Sequence, residues 1–270
     1  MRLINRKPGR AASAALVLLP FAAVALTYVI ASDIRLAANP ADKLLPAPSH
    51  ILETAQRLFT EGDKRSGRIL LWHDTLASLR RLAFGVGIAS LSALVLGMAI
   101  GLLPYARRTF NSFIGVVSMV PPLAVLPILF IIFGLGETAK VALIVVGITP
   151  VMIRDLANRT LEIPHEMIVK AETLGASSLV IALRVVLPQI LPRLISSIRL
   201  ALGPAWLFLI AAEAIAAELG LGYRIFLVRR YLAMDVILTY VIWITLLAFV
   251  MDYALRLLSR RLFPWTGASL

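Results

Sequence analysis

The apolar residues of this chain come in blocks about as long as a bilayer is thick. Six runs of roughly 20 residues alternate with polar stretches, and ~20 apolar residues in a helix cross the ~30 Å of hydrocarbon. They cover approximately Ala12–Ala31, Leu82–Leu103, Phe110–Phe133, Thr138–Leu156, Leu200–Leu219 and Val236–Leu257. The fourth is the weakest, because its apolar centre is short and Arg154 and Asp155 crowd its end. The expectation is an all-α polytopic membrane protein with six transmembrane helices. Composition agrees: 60% of the 270 residues are hydrophobic and 16% charged, whereas soluble domains average ~45–50% and ~25%.

A net charge of +12 would suggest nucleic acid if it lay on one soluble face. Here the basic residues sit mostly between apolar runs, where they orient a membrane protein, so no nucleic-acid partner is expected. Cysteine is absent, which excludes a disulfide framework, a thiolate metal site and a cysteine nucleophile.

Arg2, Arg6, Lys7 and Arg10 precede the first run, and Val29-x-Ala31 resembles a signal-peptidase site. The apolar stretch exceeds the ~7–15 residues of a signal peptide's core, so an uncleaved anchor is expected, with a cleaved leader as the alternative. Six spans put both termini on one side. Basic clusters abut spans one, two (Arg107, Arg108) and six (Arg260, Arg261), and the positive-inside rule makes that side cytoplasmic. The layout is a cytoplasmic tail at 1–11, a first span at 12–31, an outer segment at 32–75, a five-helix domain at 76–258 and a cytoplasmic tail at 259–270.

In the outer segment, Ile51, Leu52, Ala55, Leu58 and Phe59 recur at helical spacing, which predicts an amphipathic helix at the interface, broken by Gly62-Asp63. Asp74 suits the N-cap of the helix entering span two, and Trp72 stands where an interfacial aromatic belongs. Span two carries Gly85, Ala89, Ala93, Gly97 and Gly101, a small residue every fourth position. Such a stripe admits another helix closely, either within the subunit or at a dimer seam. Pro121, Pro122 and Pro127 in span three and Gly203-Pro204 in span five predict kinks. Their freed carbonyls must face protein or water, which places both helices inside the bundle.

The segment from Arg154 to Arg199 is too polar for lipid and too well punctuated for a floppy loop. Pro164 suits the first turn of a helix and Gly175 its C′ position. Met167, Ile168, Ala171 and Leu174 form an apolar stripe, while Glu166 and Lys170 are an i,i+4 pair on the polar side. A second helix starts at Ser177 or Ser178 and runs to Leu187-Pro188, and a third begins near Pro192. Periodicity leaves two readings of the first helix: a docking element for a soluble partner, or a helix on the lipid headgroups.

The stretch Lys170-Ala171-Glu172-Thr173-Leu174-Gly175, nine further residues and Val185-Val186-Leu187-Pro188 resembles the EAA loop of ABC importer permeases. That pattern is Glu-Ala-Ala, three residues, Gly, nine residues and Ile-x-Leu-Pro. Gly175, Leu187 and Pro188 match, and Val185 stands for Ile. The opening departs, with Val169, Lys170 and Ala171 in place of Glu-Ala-Ala, so Glu172 or Glu166 would have to replace the missing first Glu. Val120 to Pro127 with Phe133-Gly134-Leu135-Gly136-Glu137, Ala211 to Ala217 with Gly220-Leu221-Gly222-Tyr223, and Arg260 to Trp265 resemble the nitrate/sulfonate/taurine/bicarbonate group. The similarity spans about Leu76 to Trp265.

The resemblance implies a type I ABC importer permease fold, with a coupling loop at about 157–195 whose residues include Glu166, Lys170, Ala171, Glu172, Gly175, Leu187 and Pro188. It also implies the partners: a cytoplasmic ATPase dimer that binds ATP and Mg, a second permease copy, a periplasmic solute-binding protein and the lipid bilayer. This chain itself would hold no cofactor and no metal, and it carries no P-loop. The solute classes of that group are sulfonate, taurine, nitrate and bicarbonate, with a thiamine-precursor pyrimidine or a small nitrogen compound as alternatives. The localisation implied is the bacterial inner membrane.

Ionisable residues at membrane depth default to function. Arg199 and Glu213 are therefore candidates for the translocation path, and Trp206 is a third because it stands by the Gly203-Pro204 kink. Against each stands a plainer role: an interfacial anchor for Arg199, bundle packing for Trp206 and an ion-pair partner for Glu213. Asp252 and Arg256 are an i,i+4 pair. A secondary transporter would show inverted repeats and a central charged site, and no internal repeat is evident. An intramembrane enzyme would need a nucleophile–base or metal constellation. The three histidines, His50, His73 and His165, all lie outside the spans.

Overall fold

In the computed structural model, residues 9–40, 42–63 and 67–266 are described, and among them every regular element is helical. The basic residues Arg2, Arg6 and Lys7 lie outside the described residues. Five stretches are long and apolar enough to cross a membrane: α1 (Arg10–Ala38), α3 (Leu70–Leu102), α6 (Glu137–Leu161), a continuous stretch from Ser178 to Ala216, and α11 (Met234–Leu262). A sixth is made by α4 (Pro104–Val117) and α5 (Pro122–Phe133) if that bent pair counts as one span. Between them stand α2 (Pro48–Thr60), α7 (His165–Thr173) and α10 (Leu221–Arg229). Length and apolarity thus support five to six crossings.

The third expected span departs most from the sequence reading. Phe110–Phe133 is not one helix but two, meeting at 96°. Pro121 and Pro122 have no N–H to donate, and each pushes its predecessor out of the helical region. The last turn of α4 tightens before the break: Met119 N–H bonds to the Val116 carbonyl and Val120 N–H to that of Val117. Within this chain α5 buries only Leu126 and Leu129. The expectation of a centrally buried span therefore fails for α5, whereas the helix carrying Gly203-Pro204 is central.

Small residues organise the core. A Cβ built on Gly85 would come within 2.7 Å of the Ile144 side chain, one on Gly97 within 2.7 Å of Leu156, and one on Gly101 within 2.3 Å of Thr160. The stripe on α3 is therefore filled by α6 of the same chain, running parallel, and of its two readings the intrasubunit one holds. Gly147 on α6 makes room for the Phe208 ring. That sandwiches α6 between α3 and α9 (Leu187–Ala216), and Leu143, Ile144, Ile148, Met152 and Leu156 are buried there. The weakest run in sequence is the core helix in space, because a helix buried by protein needs no broad lipid-facing surface.

The amphipathic helix α2 forms as its periodicity predicts, with Pro48 in its first turn. It is docked rather than afloat: the Thr54 hydroxyl donates to Asp235 at 2.7 Å, and Phe59 packs edge-on against Trp72 and Trp243. In contrast, α1 touches its own chain mainly near one end, where Tyr28 donates to the Pro46 carbonyl and Ser32 to that of Leu45. The side chains from Leu16 to Leu19 and Phe21 are exposed.

Candidate coupling loop and translocation face

One end of the bundle carries the loop with α7. Pro164 occupies the N-cap position, one residue earlier than its expected place. At the other end Gly175 adopts φ +80°. Its N–H bonds to the Glu172 carbonyl at 2.9 Å, and the Ala176 N–H reaches back to Ala171 at 3.0 Å. These two bonds are the Schellman pair, in which a residue at positive φ closes the last helical turn. The Ser177 hydroxyl then accepts from the Val180 N–H and opens the short helix α8 (Ser178–Ile181). A helix of nine residues is too short to hold itself in water, so these stops at both ends are what fix it.

Beyond α8 the chain does not break at Pro188 or restart near Pro192, as the prolines suggest. A π-turn, Ala182–Val186, leads directly into α9. The Leu187 N–H bonds to the Ala182 carbonyl, five residues back, and the wider turn admits Pro188, which has no N–H for the regular ladder. The second brace and the fifth span are thus one 39-residue helical rod. Ile181, Val186 and Ile190 root it in the core, and the Gln189 amide approaches the Met167 sulfur at 3.9 Å, tying α7 to the rod.

Most of α7 is offered to the surroundings. No residue in it is buried, and Leu174 just beyond it is 87% exposed. Ile168 and Ala171 lean on the core, while Glu166, Lys170, Glu172 and Gly175 are exposed. Glu172 also borders an apolar groove of about 600 Å³ between α3 and α8, whose far wall includes Leu187. The apolar stripe is therefore split: one edge anchors the helix, and the other, with the polar face, is available.

The same end carries a cluster of charges between α6, α9 and α11. Arg199 is bidentate to Asp252, at 2.7 and 3.2 Å, and Arg256 reaches the same carboxylate at 3.4 Å. Asp252 is thus more than an i,i+4 partner, because it bridges α9 and α11. Arg159 pairs with Asp155 and Glu162. Asp155, Arg159, Arg199 and Asp252 line a cavity of about 320 Å³ that also takes in Arg193 and Ser196.

The opposite end is held by a buried ionic network. Glu213 is fully buried; it accepts from Arg81 Nη1 at 2.7 Å, from the Ser78 hydroxyl at 2.8 Å and from the Gly222 N–H at 2.8 Å. Arg81 also donates to Glu137 and to the Leu219 carbonyl, and Lys140 joins Glu137 at 2.9 Å. Asp74 is not an N-cap. It lies inside α3, which begins at Leu70, and accepts from the Gly220 N–H and from Arg224 Nε, at 3.0 and 2.8 Å. Gly220 sits at φ +132°, and a Cβ there would meet the Glu213 carboxylate at 2.5 Å. The network therefore clamps the Leu219–Gly222 turn onto α3. Trp206 is 4% exposed in the core, its Nε1 without a partner among the described residues. It does not border the charged cavity.

Sequence reasoning missed Ser78, Arg81 and Arg224, and gave Asp74 a different role. Arg81 had a visible signal, a cation abutting an apolar run, but its acceptors are 56 and 132 residues away.

Comparison with known proteins bears on what this arrangement serves. A model of the family described as binding-protein-dependent transport system inner membrane component matches residues 89–264. The chain is similar to the taurine transport system permease protein TauC of Escherichia coli (strain K12), 38% identical over 83% of this chain and 80% of the relative. It is also similar to the putative aliphatic sulfonates transport permease protein SsuC of the same organism, at 30% identity over 84% of this chain and 83% of the relative. A third relative, the nitrate import permease protein NrtB of Synechococcus elongatus, is 28% identical over 67% of this chain and 66% of its own length. Among solved structures, a chain of the MetNI methionine ABC transporter in an inward facing conformation matches with a TM-score of 0.59 at 22% identity, over 71% of this chain and 96% of that one. The likeness to MetNI carries the fold alone.

Proposed function

This chain belongs to the family of binding-protein-dependent transport system inner membrane components, and from that premise we propose that it passes a small oxyanion of the sulfonate, taurine or nitrate class through the membrane by ATP-driven import. The α7 end faces the cytoplasm with both termini. A dimer of cytoplasmic ATPases docks on α7, binding the ATP and Mg that this chain does not. A second copy of the permease completes the path, and a periplasmic binding protein delivers solute to the opposite end. Glu166, Lys170 and Glu172 supply the polar contacts to the ATPase, with Glu172 standing in for the missing first Glu of the loop.

The observation that carries this reading is α7 itself. It is short, stopped at both ends, rooted through Ile168 and Ala171, and otherwise exposed. A helix so held moves as a body with whatever grips it. The rod from Ser178 to Ala216 then transmits the displacement across the membrane without an intervening hinge at Pro188. Two packings of the bundle biased by nucleotide are enough for transport.

Co-purification and reconstitution test the proposal. The chain should bring down an ATPase, and proteoliposomes of the complex should take up radiolabelled taurine or nitrate with vanadate-sensitive ATP hydrolysis, given the binding protein. Uptake by the purified chain alone, driven by an ion gradient, would refute it.

A further inference from the structure

The charged cavity at the α7 end does not stand alone. Asp155 and Leu200 line it, and both also line a second, mainly apolar cavity of about 240 Å³ whose upper wall is Gly147 and Pro204. The two form one groove between α6 and α9. From Pro204 to Arg193 it runs 11 residues, roughly 16 Å of helix, about half of the ~30 Å hydrocarbon thickness. At its top, Pro204 has no N–H to give the Leu200 carbonyl. An unmatched carbonyl at this depth is tolerated where it meets protein or water, and Leu200 lines both cavities.

The lower half has the chemistry of an anion site. Arg193, Ser196 and Arg199 follow one another at spacings of three on α9, so they share a face. Arg199 is neutralised by Asp252 and Arg159 by Asp155 and Glu162. Arg193 lines the same cavity, and the carboxylates there pair with other cations, Asp252 with Arg199 and Asp155 with Arg159. The Ser196 hydroxyl donates to the Pro192 carbonyl at 3.3 Å, a long bond within its own helix. A planar guanidinium and a hydroxyl around a charge-lined cavity suit a sulfonate or nitrate. One uncompensated charge binds such a group weakly enough to let it go, as a conduction path requires.

We propose that the α6–α9 groove is the release half of the translocation path, with Arg193 and Ser196 as its oxyanion subsite and the Arg199–Asp252 pair as a reserve of positive charge beside it. The inference rests on the permease reading. It assigns the last protein site that solute occupies before the cytoplasm.

The test uses the full-length chain in phosphatidylcholine nanodiscs, with trifluoromethanesulfonate as probe and ¹⁹F line broadening as readout. Arg193→Gln should weaken binding about tenfold, on the scale of one charge-assisted contact, and Arg193→Lys should restore most of it. Asp252→Asn frees Arg199 and should tighten binding several-fold, a change of sign that general damage to the fold does not produce. Glu218→Gln, at the opposite end, should leave binding unchanged. Should Arg193→Gln not fold, weaker binding by Ser196→Ala carries the same prediction. Wild-type titrations in the Arg193 and Asp252 variants would overturn the assignment. So would loss of probe binding when phosphatidylglycerol replaces part of the phosphatidylcholine, which would give the site to a lipid headgroup. Unchanged uptake by Arg193→Gln in the ATPase complex refutes the subsite alone, whereas absent ATP-driven uptake by the wild type refutes the permease reading.

Discussion

Replacing Gly175 separates backbone conformation from side-chain size at the end of α7, the proposed coupling helix. Its φ of +80° lies in the left-handed region, yet a Cβ built there meets nothing within 4 Å. Alanine therefore brings no collision inside the chain, only the left-handed penalty of roughly 1–2 kcal/mol. A gain of ~0.4–1 kcal/mol from a stiffer unfolded loop offsets part of it. The net is about 1 kcal/mol against the Schellman closure, or about a fivefold fall in the ratio of closed to frayed α7. Gly175→Asn should cost least, because asparagine tolerates this region, and Gly175→Val most, because a β-branched residue does not. The assay is solute taken up per ATP hydrolysed in proteoliposomes, with ATPase co-purification as the measure of assembly. The order Gly, Asn, Ala, Val in coupling, with assembly retained, is the expected result. Wild-type coupling by both the alanine and valine variants would refute the argument. An order that follows side-chain volume instead would mean that the ATPase, not the backbone, demands the glycine.

Three further perturbations follow from the packing. Gly101→Val places a branched side chain where a Cβ already lies 2.3 Å from Thr160; overpacking of this kind costs ~1–3 kcal/mol and should lower the melting temperature of the detergent-purified chain. Arg81→Ala strands the buried Glu213, at a cost of about 3–5 kcal/mol, and Arg81→Ala with Glu213→Ala should recover part of that loss in the same melt. Trp206→Phe removes a buried N–H that has no partner among the described residues, so its effect on solute affinity should be negligible; a changed uptake KM would place Trp206 on the path after all.

The spans were legible because membrane burial leaves a signal that needs no partner: length and apolarity suffice. The helix stop at Gly175 was legible for a similar reason, since the left-handed closure is local and glycine is its ordinary occupant. What depends on distant chain was not legible. Asp74 looks like an N-cap to its neighbours, and only the return of Gly220 and Arg224 from about 150 residues away makes it the anchor of a buried turn. Proline announces a lost hydrogen bond but not the consequence. At Pro121-Pro122 it is a 96° turn, and at Pro188 a π-turn absorbs it within a continuous helix. The charged groove was half visible: Arg199 stood out by its depth, but Asp252 gave no hint that it belonged to α9 as well as to its own helix.

The native sequence has no cysteine, so a single introduced thiol reports without background. Leu174→Cys, at an exposed position just beyond α7, tests the central claim directly. In the reconstituted complex this position should cross-link to the ATPase, with a yield that changes on ATP binding, and in cells it should be shielded from membrane-impermeant maleimide added outside. Labelling from outside, or full ATP-driven uptake with no cross-link in any nucleotide state, would contradict the assignment of α7 as the coupling helix.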